Sequence, residues 1–275
     1  MYSTDRFEAL ESTLACLRRM NLYESCQKTL VVDGKIDKVP KDWEAVQVPR
    51  KNKEFCWGRM WDAGVLTANY DKIVYLDSDR LLPKNYLELV KDIGKNVFAF
   101  TSMHFLISQK MSAELCYQAL ERRDLEDIFT DEELIGKLRY EVRHKIPNHG
   151  PGKNVMSGSV AFSRDLYLKL GGVDHWYCGH GAYADSDFHM QASIGGCEFL
   201  DLNIPELHLS HEKISINKVS LSNKELWKLG LDNFIYYCNK WKLPMTLAES
   251  LAVRCDVNRP SSYVNKKLKE FSKEY

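Results

Sequence analysis

Asp77 and Asp79 are the residues of this sequence best placed to do chemistry. They follow four apolar residues, Ile73-Val74-Tyr75-Leu76, a pattern that predicts a strand buried on both faces. Carboxylates spaced i and i+2 leave a strand on the same face, so both can reach one ligand. In open α/β sheets that ligand lies just outside the carboxyl ends of the strands. Two hard oxygen donors suit Mg2+ or Mn2+ holding a phosphorylated substrate. The alternative is an Asp-rich turn that caps the next element.

Three further groups bear on that choice. Asp33 ends Thr29-Leu30-Val31-Val32 as Asp77 ends its own strand, and a carboxylate on the same rim can accept hydrogen bonds from a base or ribose. His208 and His211, in His-Leu-Ser-His-Glu, offer imidazoles to complete a mixed nitrogen and oxygen metal site, or are solvated loop residues. Asp185 and Asp187 follow the glycine-rich Gly179-His180-Gly181-Ala182-Tyr183-Ala184. They cap a helix, or one of them serves as general base for an acceptor hydroxyl beneath a closing loop.

These residues need a frame. Strand and helix patterns alternate through residue 101: a helix with Phe7, Leu10, Leu14 and Leu17 on one face, strands at 29–34 and 43–48, a helix at 56–69, the Asp77 strand, a helix at 85–93 and a strand at 97–101. That alternation predicts an α/β fold with a mostly parallel, doubly wound sheet. Residues 109–142 pattern as two charged helices. A strand at 156–162, a helix stopped by Gly171-Gly172, a helix at 185–194, strands at 197–202 and 208–211, and a helical tail from Ser222 complete the order. Balanced charge, with 38 basic and 38 acidic residues, gives no general field for nucleic acid. No run approaches the length of a transmembrane helix. The first residues carry neither a basic nor an apolar leader, so secretion is unsupported. Eight cysteines without CxxC spacing read as reduced thiols of a cytoplasmic protein and disfavour a zinc site.

In order and spacing these motifs resemble GT-A-fold glycosyltransferases, close to family 2 and to the C-terminal half of the β1,4-galactosyltransferases. The matching segments are Val32-Asp33, Arg59-Met60-Trp61-Asp62-Ala63-Gly64, Leu76-Asp77-Ser78-Asp79 with Pro83, Ser157–Phe162, Gly171-Gly172-Val173-Asp174-His175, Gly179–Phe188 and the late histidines. The resemblance spans about residues 3–212. It implies a Rossmann-like GT-A domain over 1–212, with 213–275 as a helical extension packed on it.

It also implies roles. Asp79 would bind Mn2+ or Mg2+ with His211, or with His208 in its place, and Asp77 would face the ribose or a metal-bound water. Asp33 would contact the base, Arg59 and Asp62 the donor diphosphate and sugar, and Asp174, Gly181 and Asp187 the sugar or acceptor. Asp185 would be the base of an inverting displacement from a nucleoside-diphosphate sugar, a UDP-sugar, onto a hydroxyl of a glycan or other acceptor. Ala184 and His175 depart from the family pattern, where glutamates stand. The family's opening strand has no counterpart before Tyr2–Arg6, so either the chain is truncated there or another segment fills its place in the sheet. Two other readings stay open: a GT-A domain that binds nucleotide sugar or glycan without turnover, and a phosphotransferase with aspartate as nucleophile, which Arg80-Leu81-Leu82-Pro83 does not fit.

Overall fold

The computed structural model describes residues 7–34, 39–49, 56–101, 103–106, 129–130, 139–140, 158–177, 183–209, 232–233 and 235–242. The first element is helix α1 (Phe7–Leu17), followed by parallel strands β1 (Thr29–Asp33) and β2 (Glu44–Val48), helix α2 (Trp57–Thr67) and strand β3 (Lys72–Leu76). Short β4 (Arg80–Leu81), α3 (Tyr86–Val90), β5 (Val97–Phe100), β6 (Met103–Leu106) and β7 (Arg139–Tyr140) follow. Strand β8 (Ser159–Ser163), helices α4 (Arg164–Leu170) and α5 (Ala184–Ile194), and strands β9 (Glu198–Asp201) and β10 (Pro205–His208) close the series. Residues 235–241 are helical.

The α/β class holds, but strand pairing is mixed rather than mostly parallel. Among the described residues, one four-stranded sheet runs β3-β8-β5-β9, the other β4-β10-β6-β7, and β1 pairs with β2 alone. Of these contacts β1–β2, β5–β9 and β6–β10 are parallel, while β3–β8, β5–β8, β4–β10 and β6–β7 are antiparallel. Alternation of elements predicts layers; it does not predict which strands become neighbours. Strand β7 also falls inside the stretch whose charge pattern predicts helix, where pairing with β6 prevails.

Strand β3 corrects a second expectation. Among the described residues it pairs only with β8, at a sheet edge, and its residues are half-buried, with Val74 37% exposed. The strands in the middle of that sheet are the buried ones: β8 throughout, and β5 apart from half-buried Val97. Their side chains alternate by face. Ala99 and Ala161 join Cys16, Met20, Leu81 and Leu207 on one face, while Phe98, Phe100, Val160 and Phe162 meet Trp61, Tyr167 and Phe188 on the other. Small residues opposite β4 and β10 let those strands approach; the aromatics fill the wider space under α2 and α5.

Trp61 organises the aromatic face. Its indole stacks on Tyr75 (4.0 Å), Phe162 (5.7 Å) and Tyr167 (6.2 Å), and Phe188 meets it edge-on at 5.6 Å. Truncation leaves a cavity between helix and sheet that neither can close. Trp61→Ala is expected to cost about 3–5 kcal/mol, read as a lower denaturation midpoint at unchanged slope. His189, edge-on to Phe98 at 5.2 Å, gives a pH signature. Burial pushes its imidazole down to about 4, partly countered by Asp185. The unfolded chain therefore takes up a proton between about pH 6.5 and 4 that the folded protein refuses, so stability falls on acidification through that window. His189→Gln should flatten the melting-temperature profile between those values.

Candidate active site

The site is built on the turn between β3 and β4. Strand β3 ends at Leu76, so Asp77 and Asp79 stand in the turn, not on the strand. Three neighbours fix that turn through its backbone: Asp77 N donates to Gly158 O (2.9 Å), Leu209 N to Asp79 O (2.9 Å) and Thr13 Oγ1 of α1 to Ser78 O (3.1 Å). The start of β8, the end of β10 and the first helix thus converge on three residues.

Arg80, 1% exposed, lies inside the turn. Its guanidinium meets Asp79 Oδ1 (3.3 Å), Asp77 Oδ2 (3.6 Å) and Glu206 Oε1 (3.1 Å). Glu206 is itself fully buried on β10 and accepts from Ser159 Oγ. Tyr75 donates its hydroxyl to Asp77 Oδ1 (2.7 Å), and burial pushes the Asp77 carboxyl up, against the pull of Arg80. Three carboxyl groups therefore surround one guanidinium, so the cluster holds more acidic than basic groups.

His208 completes this cluster. The antiparallel ladder pairs His208 with Arg80 and Leu207 with Leu81, which sets the imidazole beside the acidic turn. Its Nε2 lies 3.7 Å from Asp79 Oδ2. That is too long for a strong hydrogen bond; neighbouring donors of an octahedral ion at bonds of about 2.1 Å stand roughly 3 Å apart, so a small side-chain rotation would bring both onto one cation. The donor pair fits Mn2+ or Mg2+, ions that keep waters and bind phosphate oxygens beside one or two protein ligands. Among the described residues no cluster of three or more potential ligands forms. His211 and Gly181 lie outside the described residues.

Asp62, Asp174 and Asp187 fall into a second region. Asp62 on α2 accepts from Tyr167 OH through Oδ1 (2.6 Å) and pairs through Oδ2 with His175 Nε2 (2.7 Å). Gly172 stands against it at φ +73°, where a Cβ would come 2.9 Å from Asp62 Oδ1, and a Cβ on Gly58 would strike Val173 O at 2.6 Å. Helix and loop approach this closely only because both positions are glycine. Asp174 accepts from Trp176 N (2.9 Å), Tyr236 OH (2.9 Å) and Lys240 Nζ (2.8 Å). Burial raises its carboxyl, but Lys240 and the other donors hold it below the ordinary value.

Asp187 is fully buried and accepts from Tyr177 OH (3.0 Å), Trp241 Nε1 (2.6 Å), Gln191 Nε2 (3.1 Å) and Lys240 Nζ (2.8 Å). Its carboxylate anchors α5 to residues 235–241. Asp185, half-buried in the first turn of α5, accepts from Ser186 N (2.9 Å). Tyr183 precedes that helix in the left-handed region (φ +67°), held there by burial and by stacking on Tyr237 at 5.3 Å. Asp33 is buried at the end of β1, and Arg59 is half-buried on α2.

The structure thus joins Asp77, Asp79 and His208 in one cluster, and Asp62, Asp174 and Asp187 in a network centred on the 171–177 loop. Arg80, Glu206 and Lys240 hold these groups without having been singled out by sequence. A charged residue immediately after the Asp-rich turn, and a glutamate two positions before His208 on an otherwise apolar strand, are the signals that mark two of them. An open depression of about 410 Å3 lined by Pro83, Asn85, Ile204 and Pro205 lies at the other end of the β4–β10 ladder from His208.

No family model and no curated protein matches this chain. Among solved structures it is similar, over 99% of its length and 77% of the other chain, to a mannosyltransferase from Pyrobaculum calidifontis in complex with GDP-Man and Mn2+. Identity is 13% and the TM-score 0.49, too distant a likeness to bear on donor or chemistry. The likeness to β1,4-galactosyltransferases stays one of motifs. No helix among the described residues is long and apolar enough to cross a membrane.

Arg80 tests the electrostatics of the cluster. Removing it leaves buried Asp79 and Glu206 and half-buried Asp77 facing one another, so Arg80→Met should cost about 3–5 kcal/mol in denaturant titrations. Pairing it with Glu206→Gln should recover part of that loss, because the doubly substituted site holds one charge fewer than the single variant.

Proposed function

We propose that this protein is an inverting, divalent-metal-dependent glycosyltransferase that moves a sugar from a nucleoside-diphosphate sugar, a UDP-sugar, to a hydroxyl of a glycan or other acceptor. The observation that carries the reading is the Asp79–His208 pair, 3.7 Å apart beyond the carboxyl end of β3 in a cluster with more acidic than basic groups. Asp79 with His208, or with His211, would hold Mn2+ or Mg2+. When bound, such an ion offsets charge developing on the departing diphosphate.

The chain's own groups do the rest. Asp77 faces the ribose, with Tyr75 fixing its orientation. Asp33, at the end of β1, accepts from the base, and Arg59 and Asp62 on α2 flank the diphosphate and donor sugar. Asp185 removes the proton from the acceptor hydroxyl as that oxygen attacks the anomeric carbon, the bond to diphosphate breaks and the configuration inverts. Asp174 and Asp187 serve the acceptor side by holding the 171–177 loop and α5 through Lys240, and Gly181 is assigned to the sugar or acceptor by motif alone.

A panel of nucleotide sugars assayed with Mn2+ for nucleoside-diphosphate release tests this. Release is expected with one donor and should vanish with chelator. Asp185→Asn should lower turnover about 10²–10⁴-fold while donor binding persists. Release indifferent to chelation and to Asp79→Ala, or a product keeping the donor's anomeric configuration, contradicts the mechanism. Tight donor binding with no turnover toward any acceptor favours the reading of a binding domain.

A further inference from the structure

Three consecutive residues of the 171–177 loop are each tied to a different element. His175 pairs with Asp62 on α2, Tyr177 donates to Asp187 on α5, and Trp176 between them stacks on Tyr236 in the helical residues 235–241. The Trp176–Tyr236 centroids are 4.8 Å apart with 22° between planes. Beneath the pair, Asp174 accepts from both the Trp176 backbone N–H and the Tyr236 hydroxyl, and Lys240 locks that carboxylate in turn.

Trp176 is nevertheless 58% exposed. With one indole face covered by Tyr236, most of that exposed surface belongs to the other face and the rim. Stacking on Tyr236 and the hydrogen-bonded backbone around it thus hold a large aromatic ring in place and open to water. Folding alone does not require this: Trp176 lies outside the aromatic core, whose Trp61, Phe98, Phe162 and Phe188 are packed inside. A rigid ring loses little freedom when a ligand settles on it. The electron-rich indole face suits the weakly positive C–H face of a pyranose, whose hydroxyls stay free to meet the polar rim. The position suits it too, between the helix carrying Asp62 and the helix carrying Asp185.

We infer that Trp176, backed by Tyr236, is the platform on which a pyranose ring of the acceptor stacks. The inference rests on the transferase reading for the word acceptor; the saccharide platform itself is a separate claim. Lys240 is a positioning residue in it, acting through Asp174.

Saturation-transfer NMR of the full chain with cellotriose, chitotriose, mannotriose and maltotriose tests it, with choline as a cationic control because indole faces also take cations. At least one saccharide should receive saturation at the ring protons of one face. Its affinity should fall about tenfold in Trp176→Ala and stay within about threefold in Trp176→Phe, with melting temperature unchanged in both. Absence of saccharide binding by the wild type, equal binding by Trp176→Ala, or preference for choline overturns the inference. Saccharide binding through Trp176 in a protein that hydrolyses no nucleotide sugar would sink the transferase reading and leave the platform standing.

Discussion

A guanidinium sealed among three carboxylates is the constraint on which the rest of the site depends. Arg80 cannot leave without exposing Asp77, Asp79 and Glu206 to one another, and it cannot neutralise all three. The turn is therefore rigid and still electronegative. Rigidity comes from the elements that meet there: α1 through Thr13, β8 through Ser159 and the preceding Gly158, and β10 through Glu206 and the backbone of Leu209. A purely structural cluster would be balanced, as the Asp174–Lys240–Asp187 group comes closer to being.

The second region works on a different principle. Its carboxylates each accept from several neighbours and so tie helices and loop together. Asp62 draws α2 to the loop, Asp187 draws α5 to the helical residues 235–241, and Asp174 joins the two through Lys240. Burial raises the Asp187 carboxyl while Lys240 and Trp241 pull it down. Trp61 and Tyr75 connect the regions, because Tyr75 stacks on the helix that carries Asp62 and donates to the turn that carries Asp77.

Much of this was legible in sequence, and the failures have physical reasons. Strand β1 with Asp33 at its tip, helix α2 and helix α5 follow from local periodicity and turn chemistry, which act over a few residues. Antiparallel insertion of β8 between β3 and β5 does not, because Leu76 meets Ser159 across 83 positions and nothing in either segment names its partner. The half-buried edge position of β3 was hidden for the same reason: an apolar run reports that a strand is wanted, not how many neighbours it finds. His208 and Asp79 were both readable as ligands, yet only the two-residue β4–β10 ladder puts them together. Glu206 and Arg80 were harder to see, since their meaning lies wholly in their mutual burial.

The central claim is that the Asp79–His208 pair holds a divalent cation. Electron spin-echo envelope modulation of Mn2+ added with UDP to the full-length chain measures this directly. The account predicts bound Mn2+ with nitrogen modulation from a coordinated imidazole, lost in His208→Ala, and no bound Mn2+ in Asp79→Asn. Nitrogen modulation that survives His208→Ala, or Mn2+ bound equally well without Asp79, would contradict it.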